Sequence, residues 1–464
     1  MIGLNLLSVL ACVTAIKLPL YKRTFQTGHH RDLYKRDGDK AALFNSNDIY
    51  FVMPITVDGG LEENGVVINK TVELVVDSGT ADLWVTGQNC ISPKNDKSCQ
   101  GKSISPSELH LTPVNYSNTN TAISATVAYG TASAKVSAYS ASISFGPDKA
   151  KKNLIIGVSD EEVGTEFIDG VLGLGFSDAS SLNLKLEKDE DRDKTNFLDA
   201  LFGDTLFDSS FGLYFSKNLA EGEISFGDIN PERALVRNSH SVKLLSFARW
   251  DFDVSNWFIT VGSLSPDDSP LVPESRLAET LPDNSVIDKA ILDIGTSVIF
   301  LPPGIAAKVN TALKATYDKS TRRYLLNCDD QTLTNVAITD KTTNFTFILT
   351  RKFYVLKDKT TGTCYSGFAP TTSKEYMIFG TVFLRSYYTY WNKTLRTISF
   401  APAVHDKVKN VELIQREIEQ LMYKIQAQRL QLQFIGTAEK ETVERSIDQD
   451  LKLLKELQAS VPTA

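Results

Sequence analysis

One short motif occurs twice in this chain, and each copy sets a carboxylate at the end of an apolar strand. Glu73-Leu-Val-Val-Asp77-Ser78-Gly79-Thr80 runs into Ala81-Asp-Leu-Trp84-Val, and Ala290-Ile-Leu-Asp293-Ile294-Gly295-Thr296 runs into Ser297-Val-Ile-Phe300. An aspartate at the mouth of a buried strand costs free energy unless it is hydrogen-bonded. The glycine two residues on lets the chain turn tightly there. Repeating this costly arrangement half a chain apart points to two aspartates that meet. Two carboxylates about 3 Å apart repel by roughly 5 kcal/mol at an effective dielectric of about 20. That splits their pKa values by about 4 units, so one proton is shared over a wide acidic range. The ionised member can take a proton from a water held between them, while the protonated member donates to a carbonyl oxygen. Such a pair allows general acid–base hydrolysis without a metal or a covalent intermediate.

The rest of the chain reads as mostly β. Ile49-Tyr-Phe-Val-Met and Thr71-Val-Glu-Leu-Val-Val76 have the β-branched and aromatic enrichment of strands. Many short apolar runs follow, separated by clusters of Gly, Asn, Ser and Asp. A chain of 464 residues accommodates two or three domains. The paired motifs form a weak internal duplication that divides near Asn230-Pro231, giving lobes at 37–230 and 231–404. A cleft between lobes suits an extended peptide. The net charge of -7 argues against nucleic acid as a partner.

The residues around the two motifs resemble the pepsin-like aspartic proteases, in particular the secreted fungal and yeast enzymes of candidapepsin and yapsin type. The resemblance covers roughly residues 48–403. Asp77-Ser78-Gly79-Thr80 and Asp293-Ile294-Gly295-Thr296-Ser297 are similar to the family's two catalytic signatures. Tyr129-Gly130-Thr131 resembles the flap hairpin that closes over bound peptide. Asp169-Gly-Val-Leu-Gly-Leu-Gly-Phe176 and Ile378-Phe-Gly-Thr-Val-Phe-Leu-Arg385 resemble the hydrophobic-Gly motifs behind the first and second aspartates. The resemblance implies a bilobal pepsin-like fold and an aspartic endopeptidase acting on peptides or proteins at acidic pH, with no cofactor and no metal. Asp77 and Asp293 are then the catalytic pair. Ser78, Gly79, Gly295, Thr80 and Thr296 support it, with both threonines hydrogen-bonded to the outer carboxylate oxygens. Tyr129 shields the cleft, and the ring N–H of Trp84 reaches it.

Several positions depart from the family's pattern. Ile294 stands where a Thr or Ser normally grips the opposite catalytic loop, a loss of about 0.5–1.5 kcal/mol. Thr381 replaces an aspartate after Gly380. Trp391-Asn392 stands where an apolar residue and an aspartate are common, and Ala132 and Lys135-Val136 replace flap glycines. Ile294 and Thr381 motivate a second reading, a catalytically impaired pseudo-protease that binds peptides without cutting them.

The ends of the chain carry other signals. Met1–Ala15 reads as a secretory signal peptide, which places the protein outside the cell or in the vacuole. Residues 16–36 read as a basic propeptide that can lie in an acidic cleft, with a processing endoprotease cutting after Arg36. Four cysteines remain beyond the signal. Three pairings are open to them; order and proximity favour Cys90–Cys99 and Cys328–Cys364, one per lobe, as in the family. Asn69, Asn115, Asn344 and Asn392 each head an N-glycosylation sequon. The charged run 185–194 reads as a solvated loop. After 405 the apolar spacing turns to threes and fours, predicting helices over 408–434 and 438–459. They form a hairpin packed on itself or on the lobes, or else a coiled-coil segment for self-association. No stretch after the signal is long and apolar enough for a transmembrane anchor. Zinc, dinucleotide and serine-hydrolase motifs are missing from the sequence.

Overall fold

In the computed structural model the described residues are 16–24, 49–61, 67–129, 132–145, 150–187, 191–405 apart from short gaps, scattered positions between 418 and 432, and 437–460. The gaps are 192–193, 203–208, 217–220, 228, 231–232, 235–238, 247–248, 263–271 and 359–360. The signal-peptide reading and the cleavage site at Arg36 lie outside the described residues.

The chain is mostly strand, and the two aspartate motifs sit in matching three-strand units. Strand Val67–Asp77 pairs in parallel with Gly170–Gly173, Val75 facing Val171 and Asp77 facing Gly173. The same short strand pairs antiparallel with Leu83–Ser92. In the second half, Lys289–Leu292 pairs in parallel with Tyr376–Phe379, which pairs antiparallel with Ile299–Leu301. In each unit the chain leaves one strand through the aspartate loop and returns on the far side of the inserted strand. The inserted strands are buried on both faces, so they read as unbroken apolar runs rather than alternating ones. Gly170 is required where the first crosses: its φ is +139°, and a Cβ there would lie 2.1 Å from the Trp84 carbonyl oxygen.

The lobes share a sheet. Ser210–Phe215, from the first half, pairs antiparallel with Tyr387–Asn392 from the second. Behind the aspartate loops an aromatic stack bridges the halves. Trp250 packs 4.6 Å from Phe176 and 5.1 Å from Trp391 between ring centroids, and its indole N–H donates to the Leu174 carbonyl at 2.8 Å. Trp391 stacks on Phe211 at 5.2 Å. A large buried ring thus explains the tryptophan at the position where the family has a smaller apolar residue. Both disulfides form, Cys90–Cys99 and Cys328–Cys364.

Two expectations need correction. Ile16–Thr24, the start of the segment read as a cleft-filling propeptide, is a strand inside the large sheet. It lies between Glu221–Phe226 and Ile49–Leu61, with Leu18 and Leu20 buried. Its alternating leucines face the core, and this burial outweighs the segment's positive charge. Asn392 does not suit a glycan. It is 2% exposed, and its side-chain oxygen accepts the Leu395 N–H at 2.7 Å to close a hairpin turn. Asn69 and Asn115 are exposed, and Asn344 is half-buried at a turn with φ 56°.

The tail contains helix Thr437–Ser460. Leu421 and Ile425 bury themselves with its Ile447 and Leu454 in a cluster distinct from the main core. Gly170→Ala should force apart the strand crossing behind Asp77, at a cost above about 3 kcal/mol. Thermal unfolding of the variant against the parent checks this.

Candidate active site

Each aspartate loop is built by its own sequence. Strand pairing delivers Asp77 and Asp293 to adjacent loop tips, 5% and 2% exposed. The glycine two residues on turns its N–H back to the carboxylate. Gly79 N donates to Asp77 Oδ1 at 2.7 Å, and Gly295 N to Asp293 Oδ1 at 2.8 Å. A Cβ at Gly295 would lie 3.0 Å from Asp77 Oδ1 and 3.3 Å from Asp293 Oδ1, so a side chain there would crowd both carboxyls.

The structure brings the two carboxyls together, close enough for each to shift the other's titration. Burial raises both above the ordinary carboxylate range. Asp77 goes further, because the charge of Asp293 adds to its desolvation. Asp293 is held back by hydrogen bonds from Thr296, Gly295 and Asp77; Thr296 Oγ1 donates to Asp293 Oδ2 at 2.6 Å. The pair therefore holds one proton over an acidic range, with different hydrogen-bond surroundings on its two sides.

Thr80 does not mirror Thr296. It makes no bond to Asp77, and its hydroxyl hydrogen-bonds Tyr129 instead. Ser78 does grip the opposite loop: its Oγ donates to the Leu292 carbonyl at 3.1 Å and accepts the Ile294 N–H at 3.0 Å. Ile294 returns no such bond, and its side chain joins the core. Thr381 is buried. Its N–H donates to the Thr296 carbonyl at 2.7 Å and its hydroxyl to the Ser297 carbonyl at 3.2 Å. The group that replaces the family's aspartate therefore pins the second loop.

The segment read as a flap is the hairpin of Ser124–Ala128 and Ser133–Phe145. Tyr129 follows its first strand; Gly130 and Thr131 lie outside the described residues. Trp84 Nε1 donates to Tyr129 Oη at 2.7 Å. Burial first, and then the nearby charges of Asp77 and Asp82, push the Tyr129 hydroxyl well above its ordinary pKa, so it stays protonated. Val136, in place of a flap glycine, is fully buried in the apolar cluster that also holds Tyr129, Leu182 and Leu186. Leu186 is thus core, although the surrounding 185–194 run reads as solvated.

Asp82 was not among the residues the sequence singled out. It is 1% exposed and accepts Ser180 Oγ at 2.5 Å, Ser181 N at 2.8 Å and Leu182 N at 3.1 Å, which ties the 180–182 segment to the first aspartate loop. Its signal was there: a lone carboxylate inside the apolar run that follows Thr80. Among the described residues the one group with metal-ligand spacing is Cys90, Cys99 and Glu162, and its two sulfurs are joined in a disulfide.

Removing the Thr296 hydroxyl removes a bond that lowers Asp293. Thr296→Val should therefore move the acid limb of the kcat/KM–pH profile upward by roughly 1–2 units, the equivalent of one hydrogen bond to a charged group. An unmoved limb would contradict the hydroxyl's part in setting the pair's titration.

Comparison with known proteins agrees with this geometry. Residues 67–403 match the family model described as eukaryotic aspartyl protease. The chain is 27% identical to a probable vacuolar protease A of Trichophyton verrucosum over 346 residues, 72% of this chain and 76% of that protein. It is 26% identical to pepsin A of Gallus gallus over 346 residues, 71% and 80% of the respective lengths. It is 28% identical to rhizopuspepsin-4 of Rhizopus niveus over 369 residues, 75% and 80%. The chain belongs to the eukaryotic aspartyl proteases, the pepsin family of aspartic endopeptidases.

Proposed function

We propose that the chain hydrolyses peptide bonds at acidic pH with a water activated between Asp77 and Asp293. The observation that carries this reading is the pair of buried carboxyls on facing loops, each held by its own glycine N–H and both lying against the Gly295 position. A shared proton between two aspartates is the established device of aspartic proteases. Asp293 takes a proton from the water as its oxygen attacks the carbonyl carbon, while Asp77 gives its proton to the carbonyl oxygen. The tetrahedral intermediate then collapses: the carbon–nitrogen bond breaks, the leaving nitrogen takes the proton from Asp293, and Asp77 recovers its own. The Tyr129–Trp84 bond supports a flap held over the pair to limit bulk water.

The two hydrogen bonds of Ser78 favour this reading over a pseudo-protease, since they hold the loops together without help from Ile294. The vacuolar protease relatives and the amino-terminal signal support an acidic vacuole or the cell exterior. Maturation is by cleavage after Arg36, and the tail hairpin is the candidate surface for self-association.

Processed protein should cut a peptide library between roughly pH 3 and 6, the range in which the pair holds one proton. Asp77→Asn should lower kcat/KM by about 100- to 10,000-fold, the usual worth of general acid–base catalysis. Absence of any cleavage by folded parent protein would sink the proposal. Ile294→Thr should leave kcat within about threefold; a large gain of activity from a silent parent would instead favour the pseudo-protease. In a glycosylating host, mass spectrometry of peptides before and after deglycosylation should find sugar at Asn69, Asn115 or Asn344 and none at Asn392.

A further inference from the structure

Glu162 is the one acidic side chain among the described residues with no exposed surface. It ends strand Ala150–Val163 where that strand parts from Leu83–Ser92. The two run in parallel through Trp84–Gly157, Val85–Val158 and Thr86–Ser159, then lose register before Ile91–Glu161. The carboxyl fills the gap. Its Oε1 accepts Thr86 Oγ1 at 2.9 Å and Ser159 Oγ at 2.7 Å. Its Oε2 is buried and makes no hydrogen bond. Thr165 also stands beside it, with its hydroxyl turned to the Ser133 carbonyl at 3.5 Å. The Cys90–Cys99 sulfurs lie within 4.8 Å. Among the described residues the charged group that faces it is another acid, Glu166, which accepts Ser92 Oγ at 2.7 Å.

Asp82 makes the contrast. Two backbone N–H groups and a hydroxyl point at it, so each of its oxygens has a donor. At Glu162 the hydroxyls of Thr86, Ser159 and Thr165 only partly offset burial, and Oε2 has no partner, so the site favours the neutral acid. It also touches both supports of the flap. Thr86 lies two residues from Trp84, which holds Tyr129, and Glu162 itself pairs with Ala134 on the hairpin's return strand.

We propose that Glu162 is a pH-sensitive lock on the flap-bearing half of the molecule: as the neutral acid it closes the gap between the two strands, and as the unpaired anion it opens them. Burial pushes the carboxyl up to about 7, against 4.5 for an ordinary glutamate. A raised acid stabilises the fold fully below the unfolded value. That contribution is lost as pH rises through the folded value. The window is therefore about pH 4.5 to 7, and the enzyme would be confined to acidic surroundings by its own fold.

The test needs no turnover, so it stands apart from the reading of Asp77 and Asp293. In an Asp77→Asn background, which removes the shared proton, stability is measured by denaturant unfolding from pH 4 to 8 with and without Glu162→Gln. The parent's folding equilibrium constant should fall by about 300-fold more than that of the Gln variant across the window, the equivalent of about 2.5 pKa units. Parallel curves for the two proteins would overturn the lock. If Glu162→Gln fails to fold, infrared spectra of the parent with 13C-labelled glutamate decide. A label-shifted band from a protonated carboxyl at pH 6 supports the lock, and its absence overturns it.

Discussion

Two buried carboxylates facing one another are the constraint to which the rest of the structure answers. Neither is stable there alone: burial raises both, and each charge opposes the other. The fold meets that cost with short-range devices. Glycine N–H groups turn back on each aspartate, Thr296 adds a hydroxyl on one side, and Ser78 ties the loops across the lobe boundary. The asymmetry between Thr296 and Thr80 makes the pair unequal, and an unequal pair has one acid and one base.

Holding the loops opposite one another is the task of the wider architecture. Each loop is wrapped around an inserted strand that passes close enough to exclude a side chain at Gly170 and Gly380. Behind them the shared sheet and the stack of Phe176, Trp250, Trp391 and Phe211 join the halves through apolar contact. The departures from the family's pattern read as consequences of this packing. Ile294 gives up a hydrogen bond and gains a place in the core. Thr381 gives up a charge near the pair and binds the second loop through its hydroxyl. The first change moves support from a polar contact to packing; the second replaces a charge with neutral hydrogen bonds.

The flap-bearing half carries a second buried acid that the chemistry does not use. Glu162 sits at the fork between the strand of Trp84 and the hairpin of Tyr129. If Glu162 acts as the proposed lock, the fold's stability and the proposed acid chemistry share one pH range.

Much of this was legible in the chain. Two Asp-x-Gly-Thr motifs after apolar strands and two hydrophobic-Gly runs specify local turns and crossings, and such features depend on a few neighbouring residues. The threes-and-fours spacing after residue 405 placed the helix that spans Thr437–Ser460. The strand at 16–24 was not legible in the chain, because the burial of Leu18 and Leu20 needs partner strands from positions 49 and 221 onward. Asn392 carried a valid sequon, but only packing against a turn shows that it is enclosed. Thr80 and Thr296 occupy equivalent places in the sequence and bind different partners, because Tyr129 lies beside one and not the other. The sequence determined which backbone turns form and which groups the loops present. Tertiary structure decided which oxygen each hydroxyl reaches and which acids lose their water, because both depend on neighbours that are distant in the chain.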